Sequence, residues 1–542
     1  MTDSREASMD RQATAHEAPM DRQAAPAHEA SRDRQAAPAH EGSNVSRRNF
    51  IATSLGLVAA AGANSMLEVG AEKQSAQHKL ARPKSMLVKN ASVLVTMDKA
   101  RREIKDAGMY IEDGEIKQVG PSSTLPKTAE KILDLKDHLV LPGIVNTHHH
   151  LFQHLTRVAP AAQNCSLKDW KKNLLPMWQR ITPEDLRLCV QIALAELVLS
   201  GCTTVFDQQY LFPNGCTLDD SILVAKEMGV RFNPSRGFTS GSRSLAGDAP
   251  NNGFENESKI LSDCQRLIDK YHDLTAGAMT RIAIAPDSIS TVNRELFIES
   301  AKLARRNKCR LHTVIAETNE EIQFALKQYK LRSIEFLESL DWLGNDVFLA
   351  HAIHITDADI AKLARTGTSI AHCPSSNFRL ASGIAPVLKL RNAGVKVGIA
   401  VDGASSNDSG NALAEIRMAL IAARALVAVS QGETASDNAA WLSARDCLEM
   451  ATIDGATILG RDDIGSLEPG KRADFFSVNI NQVSMAGGSV VDPVASLAFC
   501  TPHNAAYTVI DGRVIVSDGQ IQTLDLPIAI EKLNKASRRI IA

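Results

Sequence analysis

The sequence has no cysteine pair in CxxC spacing and almost no net charge. It also lacks any apolar run of the roughly 18 residues that a membrane-spanning helix needs. Nine cysteines are scattered from Cys165 to Cys500. An odd, unpatterned set argues against a disulfide framework or a structural zinc cluster and reads as buried thiols. A formal charge of −2 gives no field that would draw nucleic acid or an anionic membrane, so neither is expected as a partner. No GxGxxG follows the first strand of the α/β region, which argues against a dinucleotide-binding sheet. With 44% hydrophobic and 23% charged residues over 542 positions, the composition suits a large soluble enzyme with more than one module.

The first 84 residues stand apart from the rest. Residues 10–41 repeat one phrase, from Asp10-Arg-Gln-Ala through the runs that begin at Asp21 and Asp33. With few aliphatic or aromatic anchors this tract cannot offset chain entropy, and disorder is expected. Ser46-Arg47-Arg48-Asn49-Phe50 then leads into a short, glycine-containing apolar run. That arrangement predicts a twin-arginine export signal and a periplasmic or otherwise exported protein, with the functional start at Met1, Met9 or Met20.

Short alternating strands with Asp-Gly turns occupy residues 85–140 and recur in 466–525, with a helix or tail over 526–542. Two β pieces at opposite ends of the chain predict one small β-sandwich built from both. Between them, 141–465 alternates short apolar runs with amphipathic helices, the pattern of a (β/α)8 TIM-type barrel.

In such a barrel, working groups stand at the C-terminal ends of strands. Those positions hold His148, His150, Glu317, His351, His372 and Asp402. His148 and His150 are two apart, so on a strand both face one side and form a natural pair of ligands for one divalent metal, Zn or Fe. Asp402 can add an oxygen ligand. A metal there would bring the pKa of a water to about 7. Glu317 could then shuttle protons and His351 polarise the attacked centre. His372 reads equally well as a core histidine.

Leu141-Pro-Gly-Ile-Val-Asn-Thr-His-His-His150, Ala350-His351, Ala371-His-Cys-Pro-Ser-Ser-Asn377 and Val401-Asp402-Gly-Ala-Ser-Ser-Asn407 resemble the aminohydrolase branch of the amidohydrolase superfamily. Gly465-Ser-Leu-Glu-Pro-Gly-Lys-Arg-Ala-Asp474 matches that branch's return to its β-sandwich. The stretches after His148, at Gly201-Cys-Thr-Thr and at Arg379-Leu-Ala-Ser-Gly are similar to 8-oxoguanine deaminases and hydroxyatrazine-type ethylaminohydrolases. The resemblance covers nearly all of 85–525. It implies hydrolytic removal of an amine from an aromatic N-heterocycle (purine-, pyrimidine- or triazine-like), one bound metal, and a homo-oligomer. It also implies metal ligands His148, His150 and Asp402, and catalytic roles for Glu317, His351 and Asp402. Gln153, Trp170 and Arg236 fall in stretches such enzymes turn toward the heterocycle, and each reads equally as packing or surface.

One position departs from the pattern. In this branch a third metal histidine stands three residues before the catalytic glutamate, and here that position is Val314, which has no donor atom. His312 faces the same way but about 6–7 Å deeper along a strand, and Asp287 stands where the 8-oxoguanine type carries cysteine. His312, Asp287 or water could complete the ligand set, and weakened metal affinity or altered activity is expected. Three readings stay open: a deaminase, an amide, urea or carbon–halogen hydrolase on the same site, and a catalytically silent heterocycle binder.

Overall fold

The computed structural model describes residues 81–240, 255–431, 441–500, 502 and 504–542. The repeat tract and the twin-arginine segment lie outside the described residues. Five strands open the chain: β1 (Ser85–Val95), β2 (Glu103–Glu112), β3 (Glu115–Pro121), β4 (Lys131–Asp134) and β5 (His138–Pro142). Eight barrel strands follow: β6 (Ile144–Asn146), β7 (Cys202–Gln209), β8 (Arg231–Phe238), β9 (Ala283–Pro286), β10 (Arg310–Ile315), β11 (Val347–His351), β12 (Ser369–His372) and β13 (Val397–Ile399). Four more end the chain: β14 (Phe475–Asn479), β15 (Tyr507–Ile510), β16 (Arg513–Ser517) and β17 (Gln520–Ile521).

Strands β6 to β13 pair in sequence order, all parallel. The ring is drawn together where Thr147 N donates to Ile399 O (3.0 Å) and Asp402 N donates to His148 O (3.1 Å). The expected barrel is therefore present. The strand β8 is the one least visible in sequence, because Arg231, Asn233, Ser235 and Arg236 interrupt its apolar residues, yet all eight of its residues are buried.

Between the strands run amphipathic helices whose starts are written locally. The helix Pro183–Leu199 opens at Thr182, whose hydroxyl accepts from Asp185 N while the Asp185 carboxylate accepts from Thr182 N. This reciprocal cap satisfies two of the amides a helix start leaves open.

The two β pieces form one nine-stranded mixed sheet, ordered β17-β16-β15-β14-β5-β1-β2-β3 with β4 beside β1. A bulge between Val88 and Ala91 lets β1 pair with β4 by its first half and with β5 by its second. The sheet turns over its own core of Met86, Met109, Ile111, Leu133, Phe475 and Val509. The join to the barrel is tight: β5 runs to Pro142, and only Gly143 separates it from β6.

Residues 526–542 form a helix, Leu526–Ile541, that docks against Pro183–Leu199. Arg539 Nη2 pairs with Asp185 Oδ1 at 2.5 Å, and Arg180 Nη2 donates to the Ile540 carbonyl. All nine cysteines are free thiols. No helix among the described residues is long and apolar enough to cross a membrane.

Candidate metal centre and active site

The strand β6 stops at Asn146, so His148 and His150 sit on its extension past the barrel rim rather than within it. His148, His150 and Asp402 are all buried, and one ligand atom from each falls within 4.8 Å of the others. Asp402 Oδ1 is 3.3 Å from His148 Nε2 and 3.6 Å from His150 Nε2. Bonds of about 2.0–2.2 Å to one ion would hold such atoms at about this separation.

The orientation of both imidazoles follows from their outer contacts. A carbonyl can only accept, so Gln208 O, 2.8 Å from His150 Nδ1, places the proton on Nδ1 and leaves the Nε2 lone pair facing Asp402. His148 is set by two links. Phe348 O accepts from His312 Nδ1 (3.0 Å), so His312 Nε2 must accept from His148 Nδ1–H (2.9 Å). His148 Nε2 is then an unprotonated, buried nitrogen without a hydrogen-bond partner among the described residues. Three neutral or anionic donors around one unsatisfied lone pair fit a divalent metal. Three protein ligands plus one open position is also the count that catalytic zinc sites use.

The electrostatics agree. Burial, then the neighbouring His148, pulls His150 down to about 4, so it is neutral. Burial pushes Asp402 up, but His148, His351 and His150 around it outweigh that and hold the carboxyl well below its usual range. Gly403 N donates to Asp402 Oδ1 (2.7 Å) and Ser406 Oγ to Oδ2 (3.1 Å).

Glu317 and His351 form the second half of the site, with Glu317 Oε2 3.9 Å from His351 Nε2. Asn377 Oδ1 accepts from His351 Nδ1 at 2.8 Å and turns Nε2 toward Glu317. Burial lowers His351, but Glu317 and Asp402 reverse this and raise it overall. Ala316, His351, Ala352 and Asp402 all have positive φ (51°, 70°, 47° and 61°). Such non-glycine conformations persist only where the surrounding structure holds them, and they gather at functional sites.

A cavity of about 710 Å3 stands over this end of the barrel, lined by Lys171, Trp178, Tyr210, Asp287, Val314 and Glu317 among others. Its size is that of a small-molecule site. Val314 lies in the cavity wall as a plain apolar surface. Neither His312 nor Asp287 takes its place in the cluster. His312 is fully buried beneath His148, between the rings of Phe206 and Phe348. Asp287 accepts from Thr291 Oγ1 (2.9 Å) and faces Lys171 Nζ at 3.9 Å.

The three residues expected to face a heterocycle separate. Gln153 is buried beside Gly403, both its amide atoms without partners. A Cβ on Gly403 would come within 1.9 Å of Gln153 Oε1, so only glycine admits the amide there. Trp170 is a packing residue: it is 3% exposed, its Nε1 donates to Ser405 O (2.8 Å), and the neighbouring Trp178, its ring 5.3 Å away, lines the cavity instead. Arg236 is likewise turned away. Its guanidinium bonds Asp263 (2.8 Å) and Glu255 (2.6 Å) and covers the Phe212 ring at 4.0 Å. His372 is a core histidine, 1% exposed and drawn to about 3 by burial and by His351.

Asn377, Tyr210 and Lys171 were not singled out from sequence. Asn377 closes the motif already read through His372. Tyr210 is the first residue past β7, with its ring 5.2 Å from that of His150. Lys171 is one step beyond Trp170 on the helix Leu167–Trp178.

The profile of the Amidohydrolase family matches residues 139–515. The chain is 39% identical to the 8-oxoguanine deaminase of Pseudomonas aeruginosa over 438 residues, covering 80% of this chain and 95% of that one. It is 33% identical to the hydroxydechloroatrazine ethylaminohydrolase of Pseudomonas sp. strain ADP, covering 83% and 94%. Among solved structures it resembles the atrazine chlorohydrolase of Arthrobacter aurescens complexed with zinc, with a TM-score of 0.77, 29% identity, and 84% and 100% of the two chains covered. The barrel, the strand-end cluster and these likenesses agree: the chain belongs to the amidohydrolase family.

Proposed function

We propose that this chain is a metal-dependent hydrolase that removes an amine from an aromatic nitrogen heterocycle, with zinc as its metal. The observation that carries the reading is the His148–His150–Asp402 cluster set beside the Glu317–His351 pair, with Glu317 in the wall of the large cavity. The curated relatives named above act, by their names, on amines of such rings.

A metal held by His148, His150 and Asp402 supplies Lewis acidity and a water acidified to near neutrality. The remaining work falls to side chains. Glu317, in the cavity wall, can give a proton to a ring nitrogen and recover one from the new hydroxyl as the C–N bond breaks, while the proton that Asp402 takes from the attacking water goes to the departing amine. His351, raised by Glu317 and held by Asn377, presents Nε2–H to the oxygen that gains charge at the attacked carbon. Asp402, anionic and fixed by Gly403 and Ser406, accepts the proton released as water attacks.

A carbon–halogen reading on the same site is favoured by one finding, the likeness to an atrazine chlorohydrolase. The silent-binder reading rests on Val314 alone. Glu317, His351 and Asp402 all converge on the cluster, a constellation that binding without turnover does not require.

The test is metal content together with ammonia release over a panel of purines, pterins and triazines, comparing the parent with Val314→His. We expect ammonia from the parent, with both metal retention and rate raised by the added imidazole. No ammonia from either protein, each metal-loaded, would sink the deaminase reading, and chloride release in its place would select the second.

The Arg47-Arg48 segment supports export by the twin-arginine route. Fractionation of cells carrying the parent and an Arg47→Lys, Arg48→Lys variant tests it, and equal distribution of the two would overturn it.

A further inference from the structure

A second cavity, of about 40 Å3, opens at the opposite end of the barrel, where β9 and β10 begin. That volume holds more than one water. Its lining includes His272, Arg281, Lys308 and Arg310, with Phe206 and Asn233 behind them and no carboxylate among the described residues.

The donors there are incompletely used. His272 Nδ1 accepts from Ile282 N at 3.0 Å, so Nε2 carries the ring proton, and Nε2 is buried without a partner. Arg281 is 7% exposed. It donates through Nη1 to Gly460 O (2.8 Å) and through Nη2 to the carbonyls of Leu274 and Thr275, while its Nε–H is buried and unpartnered. Arg310 also reaches only carbonyls, those of Asn345 and Thr457. The Asn233 oxygen is unpartnered too, and a half-turn of its amide would present NH2 instead.

Other buried arginines of this protein are treated differently. Arg231 pairs with Asp474 at 2.7 Å and Arg461 with Asp463 at 2.8 Å. A buried cation facing only carbonyl dipoles keeps its full charge, and a second cation beside it adds repulsion. Asp346 and Asp273 ease Arg310 and His272 from outside the cavity wall. Neither joins the lining.

We infer that this cavity is a binding site for a small inorganic anion, with Arg281 Nε–H, His272 Nε2–H and the Lys308 ammonium as its donors. An anion of that kind accepts several hydrogen bonds at once and neutralises the cluster. Sulfate, phosphate and chloride share the needed chemistry, and they differ in the number of acceptor atoms they bring.

Isothermal titration of the full chain with each ion, in a gluconate background of constant ionic strength, tests the site. We expect saturable binding of sulfate or phosphate at one per chain, with chloride weaker. Lys308 is exposed, so Lys308→Met leaves the fold intact, and losing one charge-assisted bond should weaken binding about tenfold. Arg281→Met should abolish it. If that variant fails to fold, His272→Phe takes its place. Absence of saturable binding to the parent, or affinity in both Lys308→Met and His272→Phe equal to that of the parent, would overturn the site.

Discussion

His312 Nε2 lies 2.9 Å from His148 Nδ1, and this contact fixes which nitrogen of His148 meets Asp402. Burial, and then His148 itself, holds His312 neutral, so it can only accept at Nε2 while Nδ1 is committed to Phe348 O. The residue that sequence reading weighed as a replacement ligand instead orients a ligand.

Replacing His312 with Met should therefore weaken metal retention against a chelator by about 10–100-fold, the usual cost of losing an outer partner of a metal-bound histidine. His312→Gln can still accept from His148 and donate to Phe348 O, so it should recover most of that loss. Equal retention in the Met variant, measured on folded protein, would leave His312 with a packing role only.

Glu317→Gln tests proton transfer separately from metal binding. Turnover should fall by about 10²–10⁴ while metal content stays that of the parent, since Glu317 lies outside the ligand cluster. A parallel loss of metal would mean that Glu317 helps hold it.

For Arg236 the structure predicts a stability effect rather than a binding one. Arg236→Met leaves Glu255 without its guanidinium and Asp263 with only that of Arg266, at a cost of roughly 1.5–3 kcal/mol, readable by urea denaturation. KM should be unchanged. A raised KM at unchanged stability would return Arg236 to the cavity.

Glu415 gives a pH signature. Burial lifts its carboxyl from 4.5 to about 7, although Ser375 N and Asn407 Nδ2 both donate to it. The folded chain keeps this proton after the unfolded chain has released it. The contribution is complete below about pH 4.5, declines as pH rises toward 7 and is lost above it, by up to about 3 kcal/mol. Glu415→Gln should flatten that part of the stability–pH curve, and an unchanged slope would refute the assignment.

The barrel, the sheet from both chain ends and the cluster at His148, His150 and Asp402 were legible because each follows from short-range pattern: strand spacing, turn chemistry, and polar residues closing apolar runs. Direction was not. Trp170 and Arg236 belong to the right stretches, yet whether a side chain enters the cavity depends on partners far away in sequence, Ser405 for one and Asp263 and Glu255 for the other. The strand β8 was obscured for the same reason, since Arg231 is polar in sequence and buried only through Asp474, 243 residues on. The role of His312 needed Phe348 and His148 together, a relation across two strands and the barrel rim.

The helix Leu526–Ile541 is tied to the cavity side of the barrel, because Arg180, which grips the Ile540 carbonyl, follows two residues after the cavity-lining Trp178. Removing the last turn of this helix would take away the Arg539 link to Asp185 and this grip together, so the helix cannot be cut there without loosening the wall that carries Trp178.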